Sequence, residues 1–226
     1  MPVRIYETCA EAVADIFDGA VIMSGGFGPA GTPNNLIRAL RDQGAKNLTC
    51  IANAAGVRNR LDILCESGQM RRLIASYPIY PSNPVISAFE ERWRAQEVEL
   101  ELVPQGTLAE RIRAGGAGLG GFYTPVGVGT VAEIGKEKRV IGGKEYLLEL
   151  PLRADFALLK ACKADLRGNL IYRGTARNFS PLMAMAANTV IVEVDEIVPC
   201  GELDPEVIVT PGIFVDRLVK VKKIVV

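Results

Sequence analysis

Short apolar runs alternate with amphipathic segments through the first half of the chain. The apolar runs predict three buried strands, at residues 20–23, 47–52 and 73–76. Apolar side chains at helical spacing predict four helices, at residues 7–17, 33–41, 61–67 and 83–94. Residues 98–103 alternate apolar with acidic side chains, which is typical of a strand with one solvent-facing side near a sheet edge. This alternation predicts an α/β fold with a mostly parallel sheet and right-handed crossovers.

The second half of the chain begins with a predicted β-hairpin and then returns to alternating strands and helices. Residues 139–150 predict a β-hairpin that turns at Gly142-Gly143. Buried strands are expected at residues 156–161 and 189–194, with a short helix at residues 181–187 between them. The tail alternates lysine with valine over residues 218–226, and we expect it to cover a sheet edge.

A glycine-rich loop joins the first strand to the helix that follows it. Thr32 and Pro33 predict an N-cap followed by proline at the first helical position. A strand, a glycine turn and a helix N-terminus together favour an anion site, although a tight turn that reverses the chain explains the glycines equally well. The loop is neither G-x-G-x-x-G nor a P-loop. It comprises Gly25, Gly26, Phe27, Gly28, Pro29, Ala30 and Gly31.

Ligands of parallel α/β sheets sit at the carboxyl ends of the strands. That rule places residues 25–31, 53–56 and 104–106 on one rim of the predicted sheet. Thr107 and Glu110 are spaced as a capping box, so Gln105 should lie two residues before the N-cap of the next helix. There it is either an ordinary solvated loop residue or an amide that donates to a developing oxyanion.

Composition excludes several classes of protein. The chain has 226 residues, 49% of them hydrophobic, which is enough for one large domain or two small ones. Its formal net charge of zero argues against nucleic acid or an anionic membrane as partner. No apolar stretch approaches the roughly 18 residues of a membrane span, and the N-terminus lacks a signal-peptide pattern. Five scattered cysteines favour a reduced, cytoplasmic protein.

Histidine is absent, and this restricts the chemistry further. A Ser-His-Asp triad, a Cys-His pair and histidine metal ligands are all excluded. Acid–base or nucleophilic work must come from carboxylates, lysine, tyrosine, cysteine or another chain. A basic group surrounds Gly168-Asn169 and either meets phosphates or forms solvated surface; it comprises Lys160, Lys163, Arg167, Arg173 and Arg177.

Several motifs in a fixed order resemble the α subunit of family I CoA-transferases, the 3-oxoacid, 3-oxoadipate and acetate type. The resemblance covers essentially the whole chain. The segments that carry it are Gly25-Gly26-Phe27-Gly28, Pro104-Gln105-Gly106-Thr107-Leu108-Ala109-Glu110, Phe122-Tyr123-Thr124-Pro125, Ala176-Arg177-Asn178-Phe179 and Thr210-Pro211-Gly212-Ile213-Phe214.

The resemblance implies one three-layer αβα domain over residues 1–226 with the hairpin as an insertion. It implies a β-subunit partner, as α₂β₂, whose Ser-Glu-Asn-Gly segment carries the nucleophilic glutamate. Cys65-Glu66-Ser67-Gly68 does not match that segment, so this chain should be catalytically incomplete. It further implies that Gln105 contacts the thioester oxygen, that residues 25–31 bind CoA, and that Asn53 and Gly56 lie at the substrate rim. No metal or covalently bound cofactor is expected, and acyl-CoA is a substrate.

Two other functions stay open at this point. One is a non-catalytic module of the same fold that senses a CoA ester or a sugar phosphate. The other is a self-sufficient isomerase or hydrolase of the related sugar-phosphate isomerase fold, which the lack of histidine and of a clustered carboxylate pair disfavours. Ala54 and Val128 depart from the residues common in the family, which leaves the identity of the acyl substrate open.

Overall fold

A nine-stranded sheet forms the centre of the computed structural model, which describes residues 3–80 and 83–221. The strands of this sheet are β1 (Arg4–Tyr6), β2 (Val21–Ser24), β3 (Leu48–Ala52), β4 (Met70–Ala75), β5 (Glu99–Leu102), β9 (Ala154–Asp165), β10 (Leu170–Ile171), β11 (Ala187–Val198) and β12 (Arg217–Lys220). The helices are α1 (Cys9–Val13), α2 (Asn34–Gln43), α3 (Asp62–Glu66), α4 (Ala88–Arg94), α5 (Gln105–Gly116) and α6 (Ser180–Ala186). Within the described ranges, no helix is both long and apolar enough to cross a membrane.

The strands of the large sheet are almost all parallel. Eight of them follow the order β1-β12-β11-β9-β2-β3-β4-β5, and every neighbouring pair along this order is parallel. The short strand β10 pairs antiparallel with β9. The predicted mostly parallel sheet is therefore confirmed, and β5 lies at one edge, as its alternating pattern indicates.

Successive residues of each central strand enter two different hydrophobic cores. Ile22 and Cys50 pack into a core with α1, α2, α3 and α4, whereas their neighbours Met23 and Ile51 pack into a core with α5 and α6. Side chains of a strand alternate between the two faces of the sheet, so the helices must lie on both faces. This arrangement is the three-layer αβα architecture that the resemblance implies.

A second, three-stranded sheet lies outside the main one. It has the order β6 (Phe122–Thr124), β8 (Lys144–Glu149), β7 (Lys138–Ile141), and all of its pairings are antiparallel. The predicted hairpin is confirmed, with Gly142 and Gly143 at φ 58° and 79° in its turn. Arg111 of α5 ties the sheet to the main body, because its Nε donates to the Leu150 carbonyl over 2.8 Å.

The C-terminal strand is not an edge cover. Strand β12 lies between β11 and β1, so the expectation that residues 218–226 shield an edge is wrong for the part of the tail that the structure describes. Residues 222–226 fall outside the described ranges. The short strand β1, paired with Arg217 to Val219, forms that edge instead.

Candidate active site

A cavity of about 430 Å³ lies where β2, β3 and β4 end and α5 begins. It brings Phe27 and Gly28 of the predicted loop together with Asn53 and Gln105, so the expectation of a shared rim is confirmed for these four residues. We call it the amide cavity. Its lining residues are Phe27, Gly28, Asn53, Ala54, Ser76, Tyr77, Tyr80 and Gln105.

Two carboxamides face each other in this cavity. Gln105 Nε2 donates to Asn53 Oδ1 over 2.7 Å, and Ser76 Oγ donates to the same oxygen over 2.7 Å. The Asn53 backbone carbonyl accepts from Tyr77 N over 2.9 Å. With two donors on Oδ1, the Asn53 amide is held in one orientation, and its Nδ2 makes no hydrogen bond to any described residue. Asn53 Nδ2 and the second Gln105 N–H are therefore donors available to a ligand.

Helix α5 begins earlier than the predicted capping box places it. Gln105 is its first residue after the N-cap Pro104, and Leu108 N donates to the Pro104 carbonyl over 2.8 Å. Thr107 is buried in the first turn, and its hydroxyl has no hydrogen-bond partner in the described structure. The packing of this turn against the core, and not the capping pattern, therefore determines where the helix begins. Gln105 thus lies at the positive end of a helix rather than in a loop.

The glycine loop folds back on itself before α2. Phe27 and Ala30 exchange backbone hydrogen bonds of 3.0 and 3.2 Å, and the Thr32 hydroxyl donates to the Gly28 carbonyl over 3.0 Å. Thr32 therefore closes the loop and is not the N-cap, which is Pro33. The helix N-cap is therefore Pro33 instead of the predicted Thr32, because the Thr32 hydroxyl donates to the preceding Gly28 carbonyl instead of accepting from the first turn of the helix.

The N-terminus of α2 is already occupied. The buried carboxylate of Glu193, on β11, accepts from Asn35 N over 2.8 Å and from Leu36 N over 3.0 Å. Lys160 Nζ lies 3.7 Å from the same carboxylate. Burial raises the pKa of Glu193, and the Lys160 charge and these hydrogen bonds act in the opposite direction. The anion site expected at this helix end is therefore filled by the chain's own carboxylate, and a ligand's phosphate has no free donors there.

Asn178 organises the other side of the loop. Its Oδ1 accepts from Gly26 N over 3.0 Å, and its Nδ2 donates to the Ala30 carbonyl over 3.0 Å. The backbone of Asn178 is held at φ 22° and ψ −114°, outside the regions that L-residues prefer. Gly31 packs against the Ala176 backbone, and a Cβ on Gly25 would lie 2.6 Å from Ser180 Oγ. The loop is thus clamped at both ends, and its Phe27–Gly28 tip faces the amide cavity.

Other predicted residues lie elsewhere. Gly56 does not line the amide cavity; it is itself buried and packs against the Asn59 carbonyl. Lys160 and Lys163 pair with Asp195 and Glu196 of β11, over 2.5 and 2.8 Å. Arg177 lines a separate cavity beside Phe27, and Arg167 and Arg173 do not line the amide cavity. The basic group is therefore dispersed rather than a single phosphate site.

Three cavity residues follow β4 and were missing from the sequence-based prediction: Ser76, Tyr77 and Tyr80. The rule that ligands sit at strand carboxyl ends also applies to β4 and identifies Ser76 and Tyr77. No comparable signal identifies Glu193, because it reaches α2 from 158 positions away in the chain.

No side chain of the amide cavity is a ready nucleophile. None of its lining residues carries a carboxylate, a thiol or an ammonium group. Burial raises the pKa of the Tyr80 hydroxyl, so it stays protonated at neutral pH. Burial also raises the pKa of the Cys9 thiol to about 11 and of Cys50 to about 12. The arrangement can donate hydrogen bonds to an oxyanion, and its described lining residues supply no charged nucleophile.

A family model described as coenzyme A transferase matches residues 6–221. The chain belongs to this family. The A subunit of 3-oxoadipate CoA-transferase from Pseudomonas putida is 53% identical over 219 residues, with 96% of this chain and 94% of the relative covered. The A subunit of a probable succinyl-CoA:3-ketoacid coenzyme A transferase from Bacillus subtilis is 49% identical, covering 96% and 89%. The α subunit of acetate CoA-transferase from Escherichia coli K12 is 48% identical, covering 94% of each.

Solved structures agree on the fold. Glutaconate coenzyme A-transferase from Acidaminococcus fermentans superposes with a TM-score of 0.86 at 20% identity, over 97% of this chain and 76% of that one. An acyl-CoA transferase from E. coli O157:H7, in a thioester complex with CoA, gives a TM-score of 0.85 at 22% identity. This chain spans 47% of that protein. The resemblance seen in the motifs is confirmed, and the chain is a CoA-transferase α-type subunit.

Proposed function

We propose that this chain supplies the oxyanion-binding half of a 3-oxoacid-type CoA-transferase active site, and that a β subunit supplies the nucleophile. The complex moves CoA from succinyl-CoA or acetyl-CoA to a 3-oxoacid or short-chain carboxylate. An α₂β₂ assembly in the cytoplasm is part of the proposal. The subunit designations of the relatives support a partner, and five cysteines without disulfides support a reducing compartment.

One observation carries this division of labour. The amide cavity has two carboxamide donors at its centre and no carboxylate in its lining. A β-subunit glutamate attacks the thioester carbonyl, the C–S bond breaks, and an acyl-glutamyl anhydride and CoA thiolate form. The thiolate then attacks the glutamyl carbonyl and releases the free acid, leaving a glutamyl-CoA thioester. The second carboxylate reverses these steps, so the overall exchange consumes one acyl-CoA thioester and forms another.

Each tetrahedral intermediate places negative charge on the carbonyl oxygen. Gln105 and Asn53 offer N–H groups to it, and the orientation of Asn53 is fixed in advance by Ser76. Donors that are already oriented stabilise the intermediate without reorganising during the reaction. The loop of residues 25–31, whose Phe27–Gly28 tip borders the cavity, forms one wall of the CoA site in this proposal.

The test is kinetic and uses the co-expressed αβ complex. Gln105→Ala should lower kcat about 100- to 1,000-fold, the typical effect of losing one oxyanion donor. Its KM for acyl-CoA should change little, because the lost hydrogen bond strengthens only as charge develops. Gln96→Ala, at an exposed turn after α4, is the control and should retain full activity.

The outcomes separate the alternatives. An active α chain alone, or a complex unaffected by Gln105→Ala, contradicts the proposed division of labour. A wild-type complex that binds CoA esters but transfers no CoA to any acid favours the non-catalytic sensing module. A matrix of acyl-CoA donors and carboxylate acceptors on the same complex identifies the acyl substrate.

A further inference from the structure

A more polar cavity of about 440 Å³ borders the glycine loop at Pro29. Four guanidinium groups and one carboxylate line it, together with Pro29 of the loop and Asn34 at the start of α2. We call it the arginine pocket. Its arginines are Arg38, Arg41, Arg58 and Arg60.

The segment that carries two of these arginines is held in an unfavourable backbone conformation. Arg58 and Arg60 have φ values of 52° and 53°, in the left-handed region. The buried carboxylate of Asp62 holds the segment, accepting from Arg58 N over 2.6 Å and from Phe89 N over 2.7 Å. Left-handed arginines persist only where surrounding structure imposes them, and such positions cluster at binding sites.

The positive charges in the pocket are only partly neutralised. Arg58 pairs with Glu91 and lies 3.9 Å from Glu66, the one carboxylate in the lining. Arg41 pairs with its neighbour Asp42. Arg38 and Arg60 have no carboxylate partner within the described residues. Like charges that converge without counter-charges repel one another, so the pocket favours an anion.

The arginine pocket adjoins the amide cavity. Arg60 Nη1 lies 4.0 Å from the position that a Cβ would take on Gly28, and Gly28 itself lines the amide cavity. One elongated ligand with an uncharged reactive end and a polyanionic end can therefore occupy both. The helix end at Asn35 and Leu36 cannot serve the anionic end, because Glu193 occupies it.

We propose that the arginine pocket binds the phosphate groups at the nucleotide end of CoA. This inference rests on the proposed function. Arg38 and Arg60 make the decisive contacts, since no carboxylate of the described residues pairs with either of them. Arg60 Nε donates to Asn59 Oδ1 over 3.0 Å, which leaves its two terminal nitrogens to bind phosphate oxygens in a two-pronged manner. The acyl end of the same molecule then passes Gly28 to reach Gln105 and Asn53.

The experiment compares esters with and without phosphates. The double variant Arg38→Gln/Arg60→Gln in the αβ complex should raise the KM for acyl-CoA about 10- to 100-fold with little change in kcat. The KM for the same acyl group on pantetheine, which has no phosphate, should not change. Arg60→Lys should give a smaller effect, because charge is kept while the fork is lost. Arg94→Gln, which breaks an exposed pair with Glu90 on α4, is the matched control.

Direct binding separates this inference from the proposed function. CoA, dephospho-CoA, pantetheine and pyrophosphate are titrated into the full chain by calorimetry, which requires no turnover. Weaker binding of CoA to the double variant, with pantetheine unaffected, supports the pocket even if the complex has no transferase activity. If the binding defect of the double variant persists with dephospho-CoA, the two arginines contact the diphosphate. If the defect disappears with dephospho-CoA, they contact the 3′-phosphate. Unchanged CoA binding by the double variant overturns the inference. If the double variant loses the binding of pyrophosphate but not of CoA, the pocket is assigned to a free anion.

Discussion

The contact between the glycine loop and the segment before α6 can be tested by one methyl group. A Cβ on Gly31 would lie 2.9 Å from the Ala176 carbonyl carbon and 3.0 Å from its Cα, and closer still to its carbonyl oxygen. These are backbone atoms, so a side-chain rotation cannot relieve the overlap. Gly31 also has φ +74°, a conformation that costs an alanine roughly 1–2 kcal/mol.

Gly44, at the end of α2, separates the two contributions. It has φ +91° but no atom within 4 Å of its Cβ position. Gly44→Ala should therefore cost only the conformational term, about 1–2 kcal/mol. Gly31→Ala should cost this plus about 1–3 kcal/mol for displaced backbone, hence about 2–5 kcal/mol in all.

Urea unfolding of the full chain measures both variants. If the slope of the free energy of unfolding against urea concentration is the same for both variants and wild type, the difference lies in the native state. For a chain of this size, 1 kcal/mol corresponds to about 2–4 °C in Tm. If Gly31→Ala destabilises no more than Gly44→Ala, then the loop does not pack against Ala176 as described, and the clamp on the proposed CoA-site wall is refuted.

Three further predictions concern single side chains. Thr107→Val should stabilise the chain by about 1 kcal/mol in urea unfolding, since it removes a buried hydroxyl that has no hydrogen-bond partner in the described structure. Thr8→Val should instead destabilise the chain by about 0.5–2 kcal/mol, because it removes the N-cap of α1. The hydrogen bond from Arg217 lowers the pKa of Asp15 below its ordinary 3.8, so wild type should exceed Asp15→Asn in stability by up to about 1 kcal/mol at pH 7. That advantage should vanish as the pH falls through the lowered pKa, and a gap that widens in acid would contradict it. Asn178→Asp, which puts an acceptor against two backbone carbonyls, should raise the KM for acyl-CoA of the αβ complex about tenfold; an unchanged KM would show that the loop needs no clamp.

Local pattern is sufficient for the part of the sheet from β2 to β5 and for half of the site. Strands β2 and β3 and the second half of β4 are largely apolar, and the order of these strands along the chain is also their order in space. The carboxyl-end rule therefore brings Asn53 and Gln105 together from the sequence alone. Short-range geometry decides these features, so periodicity and connection length predict them.

Features that depend on distant partners are not predictable in this way. The capping pattern at Thr107 is sound in isolation, but burial of the first turn of α5 displaces it. The anion site at α2 satisfies every local criterion, yet Glu193 of β11 fills it. The clustering of Arg38 with Arg60 likewise depends on how α2 and the segment after β3 pack together. Each is a tertiary effect that overrides or completes a local signal.

The separation of charge along the rim has a chemical reason. The carboxylate nucleophile that we propose for the partner subunit would be most reactive when no cation neutralises it in the ground state. Arginine beside Gln105 would bind that carboxylate before reaction and stabilise the starting complex as much as the intermediate, which gives no acceleration. Neutral amides bind the developing oxyanion without forming an ion pair with the nucleophile. In the proposed function, uncharged donors at the reactive end and arginines beyond Gly28 would therefore let one chain hold a polyanionic substrate while leaving the attacking charge free.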